Sequence, residues 1–390
     1  MNACRGFVTL IASVVAAASM VAANAESFDG YLVPDPSVRN QSVLVRSPSS
    51  GEDEVVVFDQ TAATASGWMP ETSAACTTAG CAHGCGGADS VDGWVNRLIG
   101  RCQDKCHFMT AQVDALMLWQ GNIPSRPLLR DDLGDTVLDA NQAQTEMGSG
   151  ARFGLFYNLD PCHAIEGSYL WADGFDGRSD VPFGTYDPVT LPDPPVPSPV
   201  EAAALFTSGQ LKSAELNWRW RNNQVLTWLV GFRWVEWNQN AGLTGQGDGG
   251  ETFVLADMTG NDLYGSQIGA DLLLWDAGRR FRLNGIGKAG VFGNRAYQKS
   301  AGFDDGGLAG PTYATGSQVS FFGEVGLYGD VAITRWLSWR TGYVLFWGTG
   351  LALPTENLSL VNFNPPPESR INISESLLVH GVTTGLEARW

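Results

Sequence analysis

The chain has 390 residues, with 47 Gly, 14 Trp and 18 Phe against only 24 Lys plus Arg, a balance foreign to most soluble enzymes. Its net charge of −17 excludes a nucleic-acid-binding surface, which needs clustered Lys and Arg. Past residue 25 no unbroken apolar run of about 18 residues occurs, so any passage through a bilayer must be made as a closed barrel.

Met1 to Ala25 reads as a cleaved signal peptide: Arg5 precedes the apolar run Phe7 to Ala22, and Ala23-Asn24-Ala25 supplies the small residues that a signal peptidase needs. Residues 26–107 read as a periplasmic segment, irregular around one alternating run, Glu54 to Phe58. Its last part carries five of the seven cysteines and a short helix, with Trp94, Leu98 and Cys102 at helical spacing after Ser90 as cap.

From Phe108 to Trp390 the period is two, and the fold class expected is an all-β, antiparallel up-and-down transmembrane barrel of ten strands. In the first strand Met109, Ala111, Val113, Ala115, Met117 and Trp119 share one face, and Thr110, Gln112 and Asp114 the other. The second sets Met147, Ala151, Phe153, Leu155 and Tyr157 against Arg152 and Asn158, and the third sets Ile165, Tyr169 and Trp171 against Glu166 and Ser168. The fourth opposes Ala214, Leu216, Trp218 and Trp220 to Glu215, Asn217 and Arg219, and the fifth opposes Trp228, Val230, Phe232 and Trp234 to Arg233. The sixth has Tyr264, Ile268, Ala270, Leu272 and Leu274 facing away from Gln267 and Asp271, and the seventh has Phe281, Leu283, Ala289 and Val291 facing away from Arg282 and Lys288. The eighth has Val319, Phe321, Val325 and Leu327 against Glu324, the ninth presents Trp339, Tyr343 and Trp347, and the tenth presents Leu378, Val382 and Leu386 against Glu387. Lipid outside and polar groups inside would produce this pattern.

Connection lengths give a second test, because outer-membrane barrels alternate short periplasmic turns with long outer loops. Long connections are expected at Gln120 to Thr145, Asp173 to Ser208, Asn238 to Thr259, Asn294 to Gly316 and Gly348 to Ser374. Short turns are expected at Asn158 to Pro161, Asn222-Asn223, Asp276 to Gly278 and Asp330 to Thr334, which leaves both ends of the barrel in the periplasm. A soluble β-sandwich would also alternate, but not its loop lengths. The closing strand, with Leu386 and the terminal Trp390 in the apolar register, is the pattern that barrel assembly machinery reads.

These residues resemble the beta-barrel porin family seven of planctomycete outer-membrane proteins over roughly residues 108–390. The resemblance rests on Ala115-Leu116-Met117-Leu118-Trp119, Gly150-Ala151-Arg152-Phe153-Gly154, Glu166-Gly167-Ser168-Tyr169, Asn261 to Gly269, Gly342-Tyr343 and Gly385-Leu386-Glu387. It implies a barrel with an outer-membrane address. The partners expected there are outer-membrane lipid and lipopolysaccharide.

Six cysteines survive export, Cys76, Cys81, Cys85, Cys102, Cys106 and Cys162, and in an oxidising compartment an even number favours disulfides. Cys102 and Cys106, about 6 Å apart at Cβ on a helix, must each bond elsewhere. Cys162 falls in a periplasmic turn, so one bridge is expected to tie the cysteine-rich segment to the barrel rim. Zinc on Cys81, His83, Cys85, Cys102, Cys106 and His107 fits no standard finger, and Cys102 to His107 is one residue too long for covalent haem attachment. No cofactor or metal is therefore expected. Ten-stranded barrels can be proteases with Asp and His at the outer rim, but the expected outer loops hold no histidine: His163 lies in a periplasmic turn and His380 in the lipid-facing register.

The charges placed inside are Asp114, Arg152, Glu166, Glu215, Arg219, Arg233, Asp271, Arg282, Lys288, Glu324, Arg340 and Glu387. Both signs occur, which suits either an ion path or a salt-bridge network filling a narrow barrel. Acidic runs such as Asp131-Asp132 and Asp304-Asp305 lack a Ca²⁺-loop signature and read as solvated surface. The function expected is a narrow porin-like channel for small solutes or ions. The alternative is a non-conducting structural or adhesive barrel acting through long outer loops, and nothing in the sequence sets an oligomeric state.

Overall fold

The computed structural model describes residues 107–390 except positions 122, 144, 193, 194, 278, 279, 306 and 366. The expected signal peptide, the run at 54–58, the short helix and the cysteines before residue 107 lie outside the described residues.

Alternation of side chains makes strands here because one face meets a dense interior and the other an apolar exterior. The strands in chain order are β1 (Met109–Gln120), β2 (Pro127–Arg130), β3 (Thr136–Asp139), β4 (Gly148–Asn158), β5 (His163–Asp173), β6 (Gly177–Val181), β7 (Asp187–Pro188) and β8 (Val200–Arg221). Then follow β9 (Leu226–Gly247), β10 (Thr252–Asp276), β11 (Phe281–Asp304), β12 (Gly307–Ala332), β13 (Leu337–Leu351), a one-turn helix α1 (Pro354–Asn357), β14 (Val361–Asn362), β15 (Glu368–Ser369) and β16 (Glu375–Arg389). Ten of them, β1, β4, β5, β8 to β13 and β16, form an antiparallel ring in chain order, as the sequence led us to expect. The ring closes where β16 pairs with β1, from Thr110 opposite Arg389 to Gln120 opposite Val379. The last residue takes part: Trp390 donates its backbone N–H to Met109 at 3.0 Å and accepts from Phe108 at 2.9 Å.

The outward face is apolar over the length of a membrane crossing. Ile268, Val319 and Val325 are 68%, 63% and 60% exposed, and contiguous apolar surface on this scale has no place in water. Trp218, Trp220, Trp228, Trp275, Trp336 and Trp339 stand exposed toward the short-turn end, and Trp119, Tyr264 and Trp347 toward the other, so the belt lies between two aromatic girdles. His380 is also on this face, where its Nδ1 lies 2.6 Å from the Tyr343 hydroxyl.

Two of the expected loops are not loops. Asn238 to Thr259 and Asn294 to Gly316 are almost wholly strand, so that β9 joins β10 through residues 248–251 and β11 joins β12 through 305 and 306. Gly249 and Gly250, at φ +88° and +85°, make the first of these turns. Strands β8 to β12 therefore run 22 to 26 residues, where about 9–11 cross a bilayer. The connection expected at Asp173 to Ser208 is also shorter, because β8 begins at Val200 and 174–199 contains β6 and β7. The physical reason is a change of solvent along one unbroken strand. Trp228, Val230, Phe232 and Trp234 point outward on β9, and Glu236, Asn238 and Asn240 continue the same face. Lys212, Glu236, Asp262, Arg295 and Ser317 lie in one register line across β8 to β12, above the apolar belt. Beyond that line the strands continue for about ten residues, or about 30 Å, as a wall outside the lipid. The connections fold against its inner face, where Leu128, Leu129, Leu138, Val181, Leu205, Leu243, Leu255, Leu358 and Phe363 form one buried cluster.

Candidate functional site

All twelve charges assigned to the interior lie on the inward register of their strands. Eight of them join into one chain of ion pairs. Arg152 meets Glu324 at 2.9 Å, Glu324 meets Arg233 at 3.0 Å, Arg233 meets Glu215 at 3.4 Å, and Glu215 meets Lys288 at 2.7 Å. Lys288 reaches Glu166 at 3.4 Å, Glu166 reaches Arg219 at 2.7 Å, and Arg219 reaches Asp271 at 2.5 Å. Four cations and four carboxylates cancel. Cancellation is required, because an ion held out of water costs several kcal/mol unless its partners compensate. Neutral groups complete the shell: Ser213 accepts from Arg233 Nε at 2.9 Å, Tyr328 accepts from Arg152 at 3.1 Å, and Gln267 and Asn217 donate to Glu215 at 2.8 and 3.0 Å. The Arg233 guanidinium also lies 4.8 Å from the Phe322 ring centre.

The other four charges sit nearer the short-turn rim. Asp114 accepts from Gln112 at 2.9 Å, Arg340 stacks 3.8 Å over Tyr328, Glu387 pairs with Arg389, and Arg282 faces Asp330 in register. Asp330 and Arg389 also belong to this cluster. Asp330 is no turn residue: it lies inside β12, 4% exposed, and accepts from Asn284 at 2.5 Å.

Above the ion pairs the interior is dry, which the expectation of polar inward faces had not foreseen. Leu116 and Leu118, Leu170 and Ala172, Leu211, Val235 and Trp237, Leu263, Phe292, Phe322, Val344 and Phe346, and Leu377 and Val379 form one cluster, each at most 4% exposed. Nine of the ten ring strands supply them. The tenth, β4, contributes a gap: at Gly148 an added Cβ would come within 2.8 Å of the Phe175 ring. Phe175 fills that space from the β5–β6 connection and packs on Trp237 at 5.5 Å between ring centres. A water-filled lumen would expose these side chains; instead they close the cross-section as an apolar septum.

A polar layer on the far side fixes the connection 352–374 inside the wall. Asn261 donates to the Ala352 carbonyl and accepts from its N–H, both at 2.8 Å, and Asn294 donates to the Gly350 carbonyl at 2.9 Å. Gln298 donates to the Asn357 carbonyl at the end of α1 at 3.2 Å. The barrel is thus stoppered by its own chain.

At the other end Cys162 is disulfide-bonded, and the other cysteines lie outside the described residues. In the same turn His163 Nδ1 lies 2.8 Å from Asp160. That contact, with the Cys162 N–H, holds the exposed Asp160 carboxyl below its ordinary range. Among the described residues His107 and His163 lie at this rim and His380 faces outward, so no histidine stands in the wall. Leu386 is exposed on the outward face, 48%, and Trp390 completes the ring beside it.

No protein-family model matches the chain, and no curated protein does. Among solved structures the outer membrane protease OmpT from Escherichia coli is similar over 75% of this chain and 99% of its own, at 10% identity and a TM-score of 0.46. The CymD monoaromatic hydrocarbon channel matches over 73% and 89%, at 8% identity and TM-score 0.28. A bacterial polysaccharide outer membrane secretin matches over 74% and 100%, at 8% identity and TM-score 0.21. A protease, a channel and a secretin differ in what they do, and none of these likenesses decides a function here.

Proposed function

We propose that this chain is an outer-membrane β-barrel closed to solutes, whose role is to hold a rigid, water-facing wall outside the cell. The observation that carries the reading is the septum, in which inward side chains from nine strands and the Phe175 ring are at most 4% exposed. The apolar belt and its two girdles support the membrane location, and the outward Leu386 with Trp390 supports insertion by barrel assembly machinery. On this reading the protein acts by binding and cover rather than by catalysis.

A narrow porin-like channel would need a wet path through the same cross-section. The neutral ion-pair chain argues in the same direction, because each charge is spent on a neighbour rather than offered to a passing ion. Purified protein inserted into planar bilayers is expected to leave the membrane electrically silent under an applied potential. Steady single-channel steps of uniform size would overturn the proposal and return the porin-like reading.

A further inference from the structure

We propose that the outward face of β11 and β12, just beyond the lipid belt, binds the headgroup of a bisphosphorylated glycolipid of the outer leaflet, with Arg295 and Lys299 taking its phosphates. This rests on the membrane-spanning reading above. Ala296, Gln298 and Ser300 are buried inward, so Arg295, Tyr297 and Lys299 project outward from β11. Arg295 and Lys299 are exposed, and among the described residues neither has an ion-pair partner within 4 Å; Asp262, opposite Arg295 in register, is its acidic neighbour. Two other cations on the outer wall are neutralised by neighbours, Lys212 by Glu236 at 3.1 Å and Arg178 by Asp180 at 2.7 Å. On a chain of net charge −17, an anion approaching from the membrane side finds its complement here.

The surroundings fit a sugar phosphate. Four residues along a strand set the Cα atoms of Arg295 and Lys299 about 13 Å apart, within reach of two phosphates on one headgroup for two long side chains. Between them the Tyr297 ring lies flat across Gly260, where an added Cβ would meet it at 2.3 Å, and Lys299 Nζ sits 5.7 Å from the ring centre. The ring therefore holds the Lys299 ammonium over a fixed surface beside Arg295. Ser317, Thr315 and Tyr313 face Arg295, Tyr297 and Lys299 in register and are exposed, adding hydroxyl donors. Immediately toward the membrane stand Val291, Val319 and Phe321, each at least half exposed, against which acyl chains would lie. Guanidinium and ammonium groups at a lipid boundary are the side chains that hold phosphate.

The test compares lipid A with its dephosphorylated form. Full-length protein refolded into liposomes of a neutral phospholipid plus one or the other is recovered by flotation, extracted in detergent, and its retained lipid is counted by native mass spectrometry. Wild-type protein is expected to retain lipid A about tenfold over the dephosphorylated form, and R295A/K299A to lose that preference while co-floating normally. A Lys212→Ala control is expected to keep it. Equal retention by wild type and R295A/K299A, or equal loss in Lys212→Ala, would overturn the site. Failure of the wild type to float with liposomes would overturn the membrane reading itself, which the flotation step reports separately.

Discussion

Replacing Arg233 by Ala is expected to lower unfolding stability by about 3–5 kcal/mol, the cost of leaving buried charge without its partner. Arg233 is 1% exposed and stands between Glu324 at 3.0 Å and Glu215 at 3.4 Å, in the middle of the ion-pair chain. Its removal leaves four carboxylates against three cations in a space where water cannot follow, and strips the guanidinium from the faces of Phe322 and Phe346. The loss should be partly reversible without restoring the arginine. In R233A/E215Q three cations again meet three carboxylates, with Arg152 still on Glu324, Lys288 on Glu166 and Arg219 on Asp271, so the double variant is expected to be more stable than R233A alone although it has lost one more ion. The measurement is the urea midpoint of tryptophan fluorescence in detergent micelles for all three proteins. A single-variant loss below about 1 kcal/mol, the range of exposed pairs, would mean that the network is hydrated and the interior wet.

The ring, its closure and the partition of side chains between lipid and interior were legible because lipid and a packed interior impose opposite demands on alternate residues. Asp114 beside Val113, Arg233 between Phe232 and Trp234, and Glu324 before Val325 each declare their face in the sequence alone. The wall was missed because its outward face is polar. Past Trp234 the side chains Glu236, Asn238 and Asn240 face water, and a reading that sought apolar outward residues took the end of the belt for the end of the strand. A local signal for the true end of β9 was present in Asp248-Gly249, a dipeptide that favours tight hairpins. The septum was hidden by the reverse effect. In Ala115 to Trp119 and in Val344 to Trp347 both faces are apolar, one toward lipid and one inward, so a period of two leaves no contrast to read. The role of Gly148 was not legible at all, since the ring that fills its space comes from Phe175 in another connection.

The belt and the wall share strands, pairing and outward direction, and differ only in what surrounds them, which makes a paired substitution on one strand decisive. Val325 and Thr315 both point outward from β12, ten residues apart and on opposite sides of the Ser317 register line. Val325 is 60% exposed, opposite Gly287 on β11 and Leu345 on β13. In a bilayer Val325→Arg is expected to cost about 2–4 kcal/mol, the penalty of a guanidinium near the midplane of a barrel's lipid face. Thr315→Arg, whose side chain stands in water, is expected to change stability by no more than about 0.5 kcal/mol. Neither substitution removes an interior contact, so packing contributes little to the difference. Reversible unfolding in liposomes gives both values. If Val325→Arg costs no more than Thr315→Arg in the presence of lipid, the residues between the girdles face water, and the proposed membrane crossing falls along with the distinction between belt and wall.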